Sequence, residues 1–305
     1  MPKIVLLGSD GFIGSSLSRR FKQRTDFVAI NKNQLDVLDE SKLLDTLKEL
    51  QPDIVINAIG KVGGIQKNID SPADLMMINI KTNLSIINSC HKLGINTLLQ
   101  FASACIYPLN EVRAMKESDI GTGVIEQSSK GYAHAKIFGL ESYEAFNKQY
   151  GYSWKTIIPT NLYGIGDWHT DSNGHVIAML ANKFLIAKQK NYGIVEIWGD
   201  GKSLRNFLNV DDLSTGVDFY LNLQSASSSV INISGDKELS IMELANMIKN
   251  VVGFEGEVIF DLSKPNGARR KLLDDSYLRS FGWEPQIKLE DGLRDYVKNL
   301  AFLVQ

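Results

Sequence analysis

Cysteine is scarce: Cys90 and Cys105 are the only two in 305 residues. That excludes a disulfide-dense secreted framework. With no CxxC spacing and only four histidines there is also no pattern for a zinc site, so no metal is expected. An excess of one charge is missing too. Lys and Arg total 33 against 35 Asp and Glu, a formal net charge of -2, which lacks the basic surplus of a nucleic-acid binder. No stretch approaches the roughly 18 uninterrupted apolar residues of a membrane helix. The opening MPKIVLLGSDGFIG carries one short apolar run before its first glycine, too short for a secretory signal. Neither nucleic acid nor membrane is expected as a partner, and the expected compartment is a reducing cytoplasm. Apolar residues at 44% are too many for a disordered chain.

What is present is alternation. Lys3–Leu7, Phe27–Ile30, Asp53–Asn57, Thr97–Ala102 and Ser153–Ile158 are short apolar runs that predict strands. Between them lie helical patterns at Phe12–Arg24, Ser41–Leu50, Pro72 to about Leu93, and a long stretch ending near Tyr150. Strands alternating with helices predict an α/β fold with a doubly wound parallel sheet of Rossmann type, and strands without polar alternation suit a sheet covered on both faces. Past Pro159 the regularity loosens, with helical patterns near 175–188, 210–221, 241–251 and 289–300. The expected division is a dinucleotide-binding domain over 1–160 and a smaller α/β substrate domain over 161–305. Some segments near 194–236 are expected to return to the first domain.

The first strand runs directly into GSDGFIG, in which Gly8, Gly11 and Gly14 follow a GxxGxxG spacing. A tight turn, close backbone approach to a pyrophosphate and tight helix packing each need glycine. The helix start then offers free N–H groups and a positive dipole end to phosphate. After the second strand come Asn31, Lys32 and Asn33, with no acid until Asp36. A cation at this point suits the 2′-phosphate of NADP(H), whereas NAD(H) usually meets an acid, so NADP(H) is expected over NAD(H).

Tyr132 and Lys136 form a YxxxK pair on one face of the long helix. A nearby ammonium lowers a phenol's pKa and lets it exchange a proton near neutral pH. Ser103, at the end of the fourth strand, lies on the edge where ligands of a doubly wound sheet bind and can donate to a carbonyl.

This set resembles the extended short-chain dehydrogenase/reductases that act on nucleotide sugars. Within them it is similar to the GDP-L-fucose synthase family, the GDP-4-keto-6-deoxymannose 3,5-epimerase/4-reductases. The stretches that carry the closer likeness are Lys61-Val-Gly-Gly-Ile65, Ser103-Ala-Cys-Ile-Tyr-Pro108, Pro159-Thr-Asn-Leu-Tyr-Gly164 and Ser172-Asn-Gly-His-Val-Ile177. Trp198-Gly-Asp-Gly201, Arg205 to Asp212, Ser263 to Gly267 and Arg270 to Asp274 extend it over nearly the whole chain.

The resemblance implies two linked chemistries. Ser103, Tyr132 and Lys136 would serve reduction at C4, with Tyr132 giving the proton and Lys136 also holding the cofactor ribose. Cys105 as base and His175 as acid would serve epimerisation at C3 and C5, where the 4-keto group acidifies neighbouring C–H bonds. The cofactor would lie along Gly8, Gly11, Phe12, Ile13, Gly14, Lys32, Asp36, Asn57, Ala58, Tyr132, Lys136, Pro159, Asn161 and Leu162. The GDP-sugar would meet Asn161, His175, Lys183, Trp198, Arg205 and Lys271. The long helices near 72–93 and 132–150 would form a homodimer. Arg270 is expected to be a solvated neighbour of Lys271, and His91, His134 and His169 carry no expected role.

There are departures from the family pattern. Asp10 stands in the glycine turn where the family usually has a cation, Ala104 replaces a second serine, and Lys183 stands where the family favours arginine. These leave the particular sugar open. Reduction or epimerisation of another GDP-sugar, such as a heptose or dideoxy sugar, stays an alternative, as does an NAD-dependent 4-epimerase or dehydratase. Dehydratases carry a Thr/Asp-Glu pair just after the strand-end serine, and Ala104-Cys105 occupies that place here.

Overall fold

The computed structural model describes residues 2–109, 112–168, 174–223, 227–264 and 267–304, apart from the side chains of Ile65, Leu303 and Val304. The first half follows the alternation: β1 (Ile4–Leu7), α1 (Phe12–Phe21), β2 (Phe27–Ile30), α2 (Glu40–Leu50), β3 (Ile54–Asn57), α3 (Ile65–Asp70), α4 (Pro72–Lys92), β4 (Thr97–Phe101), α5 (Lys130–Tyr150) and β5 (Lys155–Pro159). Local chemistry sets several ends. The Asp39 carboxylate caps α2 by accepting the Lys42 N–H, Pro72 opens α4, and Gly151 closes α5 in the left-handed region.

The second half holds more strand than its composition predicts: β6 (Asn161–Tyr163), α6 (Val176–Gln189), β7 (Ile194–Trp198), β8 (Leu204–Asn209), α7 (Val210–Asn222), β9 (Val230–Ile233), β10 (Glu238–Ser240), α8 (Ile241–Val252), β11 (Glu257–Asp261), β12 (Arg270–Lys271), α9 (Ser276–Arg279) and α10 (Leu289–Val304). Most of these strands are short and none has a long apolar run, which is why the sequence reads as loop there.

The main sheet has six parallel strands in the order β2-β1-β3-β4-β5-β9. It is covered on both faces. Leu17, Leu213, Val217 and Tyr220 of α1 and α7 pack on one side, and Leu43, Leu47, Ile86 and Tyr143 of α2, α4 and α5 on the other. Strand order reverses between β1 and β3, so their carboxyl ends open a crevice, the position where ligands enter such sheets. A second cluster joins β10, β8 and β12, with β6 also pairing with β8, while β7 pairs with β11. Its own apolar core is built from α6, α8 and α10, including Phe184, Ile248 and Leu293. The Asp212 carboxylate of α7 ties the two parts by accepting the N–H groups of Gln286 and Ile287 at 3.0 and 2.9 Å.

Candidate active site

The crevice starts at the glycine turn. Gly8 has φ +83°, and a Cβ there would lie 2.7 Å from the Ile59 side chain. A Cβ on Gly14 would come within 1.9 Å of the Gly8 carbonyl oxygen. Both sites therefore demand glycine, and the turn lies tight against the segment after β3. Gly11 occupies the cap of α1 with no side-chain bond, and the first turn carries no acid. The N–H groups of Phe12, Ile13 and Gly14 are thus the helix's unshared donors, an arrangement that fits a pyrophosphate. Ala58, Ile13 and Leu162 pack against one core, and Pro159 is buried at the end of β5. The buried Asn57 donates to Asn83 Oδ1 at 2.9 Å and accepts the Ile59 N–H at 3.0 Å, which fixes the backbone after β3. Lys32 and Asp36 both lie exposed beyond β2. An Asp36 oxygen accepts the Leu38 N–H at 3.1 Å, while Lys32 stands in the turn where a cation can meet a 2′-phosphate. The residues present fit a phosphorylated dinucleotide.

Ser103 and Cys105 sit at the carboxyl end of β4. The Ser103 hydroxyl caps the tight turn Ala104–Ile106 by accepting the Cys105 N–H at 3.4 Å. Opposite lies α5, held close because a Cβ on Gly139 would strike the Gln100 and Asn83 side chains at 2.5 and 2.7 Å. Lys136 reaches inward and donates to the Phe101 carbonyl at 2.9 Å. Burial draws its ammonium down to about 8, because the charged form loses water. Its Nζ lies 5.6 Å from the centre of the Tyr132 ring, and a Cβ on Gly60 would lie 3.5 Å from that Nζ. Lys136 therefore joins the segment after β3 to the Tyr132 face of α5. The expected lowering of the Tyr132 phenol by Lys136 is not found: burial pushes the phenol up, and the nearby Cys105 adds to this, so the phenol holds its proton. Ser103, Tyr132 and Lys136 can together hydrogen-bond a carbonyl oxygen and give it a proton.

Burial also pushes the Cys105 thiol up. The Ser103 hydrogen bond, Lys271 and Lys136 pull it back, and Glu126 pushes it up again, with burial the largest influence. His175 precedes α6 as its cap residue and is not part of the helix. Its Nδ1 lies 3.1 Å from an Asp167 carboxylate oxygen, and this partner raises the imidazole above its ordinary value. Asp167 is 2% exposed, and Tyr296 donates to its carbonyl at 2.5 Å. The His175 ring stands 6.3 Å from Phe12 at the start of α1. A histidine so placed can deliver a proton beside the dinucleotide crevice.

Arg205 and Lys271 are register partners on the parallel pair β8 and β12, so their side chains leave the sheet on the same face. Lys271 contacts Glu126 at 2.5 Å, and Arg205 lies in the field of Glu126 and Glu238.

The residues so assembled have known counterparts. A model of the NAD dependent epimerase/dehydratase family matches residues 4–234. The chain is 37% identical over 301 residues to GDP-L-fucose synthase of Escherichia coli K12, covering 95% of this chain and 94% of that protein. The chain belongs to the NAD dependent epimerase/dehydratase family, among the GDP-L-fucose synthases. It is also 32% identical over 293 residues to GDP-L-colitose synthase of Yersinia pseudotuberculosis, covering 95% of each. Among solved structures, a GDP-mannoheptose C4 reductase from Campylobacter jejuni with NADP bound superposes at a TM-score of 0.85 with 29% identity, covering 97% of this chain and 98% of that one.

The remaining sequence candidates divide by position. The Asn161 amide donates to the Asn206 carbonyl at 3.0 Å, which places it at the β6–β8 seam. Trp198 is 54% exposed on β7, with the Lys264 ammonium 5.5 Å from its ring. Lys183 is exposed, and its Nζ donates to the Glu196 carbonyl at 3.1 Å. Arg270 is not a solvated neighbour of Lys271: its guanidinium is held on Glu238 at 2.8 and 3.0 Å, because β12 lies beside β8 and Glu238 follows on β10. His91 packs among Phe146, Tyr150 and Tyr152, with Nδ1 2.9 Å from the Tyr152 hydroxyl. His134 is exposed. His169, Ser172, Asn173, Pro265 and Asn266 lie outside the described residues. Sequence reasoning missed Asp167 and Glu126. The only signal for Asp167 was an acid in the glycine-rich loop ahead of His175, and for Glu126 an acid just before the YxxxK helix. Among the described residues no cluster of His, Cys, Asp and Glu could hold a metal ion, and no helix is long and apolar enough to cross a membrane.

Proposed function

We propose that this protein carries out NADPH-dependent 3,5-epimerisation and 4-keto reduction of a GDP-4-keto-6-deoxy-sugar, giving GDP-L-fucose or a related GDP-sugar. The observation that carries the reading is the convergence of Ser103, Cys105, Tyr132 and Lys136 at one sheet edge, beside a glycine turn, in a member of this family. When bound, NADPH supplies hydride to C4. Tyr132 protonates the C4 oxygen, Ser103 donates to it, and Lys136 holds the ribose and returns Tyr132 to its protonated form. Cys105 removes the C3 and C5 protons that the ketone acidifies, and His175, whose charged form Asp167 favours, delivers protons to the other face. Arg205 and Lys271 take the diphosphate, and Trp198 offers an aromatic face to the nucleotide side.

In this reading residues 1–160 bind the dinucleotide and 161–305 mainly the sugar, with part of 194–236 returning to the first domain. Two subunits pair through α4 and α5, where Met77 and Leu84 are 48% and 46% exposed, and the enzyme works in the cytoplasm. A second reading is a C4 reductase without epimerisation. Burial of Cys105, which opposes a thiolate, is the observation that favours it.

One incubation separates the two. With NADPH and GDP-4-keto-6-deoxymannose in deuterated water, deuterium at C3 and C5 together with NADPH oxidation supports the full reading. NADPH oxidation without deuterium leaves reduction alone, and absence of turnover directs the search to another GDP-sugar.

A further inference from the structure

Glu126 lies outside every role given so far, yet it stands where the two cations meet. Its carboxylate contacts Lys271 Nζ at 2.5 Å, with both side chains about one-fifth exposed. Arg205, the register partner of Lys271, acts on the same carboxylate, and the Ser128 hydroxyl also favours its charged form. These partners hold Glu126 below its ordinary carboxylate range despite burial, so it carries its charge. It also sits just ahead of α5, the helix that presents Tyr132 and Lys136.

We propose that Glu126 is an internal counter-anion, which competes with the substrate's diphosphate for Lys271 and Arg205 and sets the charge that Cys105 meets. This rests on reading the cleft as a GDP-sugar site. Two negatively charged groups cannot share one pair of cations without mutual repulsion, so diphosphate binding displaces the Glu126 carboxylate from Lys271. Cys105 packs in one apolar cluster with Ile125, the residue before Glu126, with Leu273, two residues past Lys271, and with Tyr132. The groups acting on it are Lys271 from β12, Lys136 and Tyr132 from α5, the Ser103 hydroxyl and Glu126 itself. Glu126 is the anion among them.

The test is Glu126→Gln in the full chain, with GDP as the probe and NADPH binding as the check on folding. The expected result is GDP bound about threefold to tenfold more tightly at low salt, the gain shrinking as salt rises. In parallel, the pH midpoint for alkylation of Cys105 by iodoacetamide, read on its own peptide by mass spectrometry, falls. Lys271→Met moves that midpoint upward. A merely structural Glu126 would give the opposite: weaker GDP binding and an unmoved midpoint. Equal GDP binding by both proteins overturns the competition alone, whereas failure of both to bind GDP also overturns the GDP-sugar reading. Should Glu126→Gln not fold, the same two measurements on Glu126→Ser decide by the same outcomes.

Discussion

The two halves of the cleft are positioned by different forces. Ser103, Tyr132 and Lys136 stand on the end of β4 and one face of α5, and backbone packing sets their spacing. Gly139 lets α5 approach Gln100 and Asn83, and Lys136 donates to the Phe101 carbonyl. Asp167, His175, Glu126 and Lys271 instead arrive from separate segments between 126 and 271. They are held as two ion pairs, Asp167 with His175 and Glu126 with Lys271, with Arg205 beside Lys271 in strand register. Packing is indifferent to salt and to mild changes of pH, whereas ion pairs at a partly open cleft respond to both. The proposed reduction should therefore be robust and the proposed epimerisation and diphosphate binding tunable.

The largest break in that comparison comes from Tyr132→Phe, which removes one oxygen and leaves the packing. Reduction should fall about 10²- to 10⁴-fold, the usual contribution of a positioned proton donor, while NADPH still binds. Single-turnover NADPH oxidation checks this, and an undiminished rate would remove Tyr132 from the chemistry. Next is Cys105→Ser. Deuterium exchange at C3 and C5 should drop about 10²-fold or more, with hydride transfer to an already epimerised ketone changed only a few-fold. Equal loss of both activities would show that the halves are not separable.

The packed half was also the legible half. The strand runs, the glycine turn and YxxxK are short-range patterns, so β1 to β5 and the Ser103–Tyr132–Lys136 group could be read from spacing. The charged half depends on partners far apart in sequence. Asp167 lies eight residues before His175, marked only as an acid in a glycine-rich loop, and Glu126 meets Lys271 across 145 residues of chain. Arg270 shows the same limit: only the β10-β8-β12 order reveals that Glu238 holds it. The short strands β6 to β12 escaped notice because each gains its stability from neighbours and not from an apolar run of its own.

Asp167→Asn tests the charged half through pH. Asp167 raises the His175 pKa, and a proton-donating histidine must be charged, so exchange declines as pH climbs through the folded-state value. Without the carboxylate that limb should move to lower pH, with exchange reduced about tenfold at mildly alkaline pH. The sign for stability agrees. A raised histidine contributes stability fully present below its ordinary value near 6.5, and that contribution is lost as pH rises through the folded value. The substitution should flatten that dependence. A pH–rate profile identical to the unsubstituted enzyme would mean that Asp167 holds the loop and not the proton.

The smallest effect is expected at Lys183, which the family resemblance groups with Arg205 and Lys271. Here position outweighs residue type. Lys183 is exposed, and its ammonium is engaged by the Glu196 carbonyl on β7 at 3.1 Å. A compact, hydrated charge on a flexible stem, screened by salt, contributes little at such a distance from burial. Lys183→Met should weaken GDP binding by no more than about threefold, and the difference should vanish at high salt. Lys271→Met, by contrast, removes a largely buried cation and leaves Glu126 with only Arg205 and Ser128 to offset its charge, and should weaken GDP binding at least about tenfold. Titration calorimetry of both variants at two salt concentrations decides the matter. If Lys183 proves the more costly of the two, diphosphate binding belongs to α6 and β7, and the Arg205–Lys271 pair serves the fold.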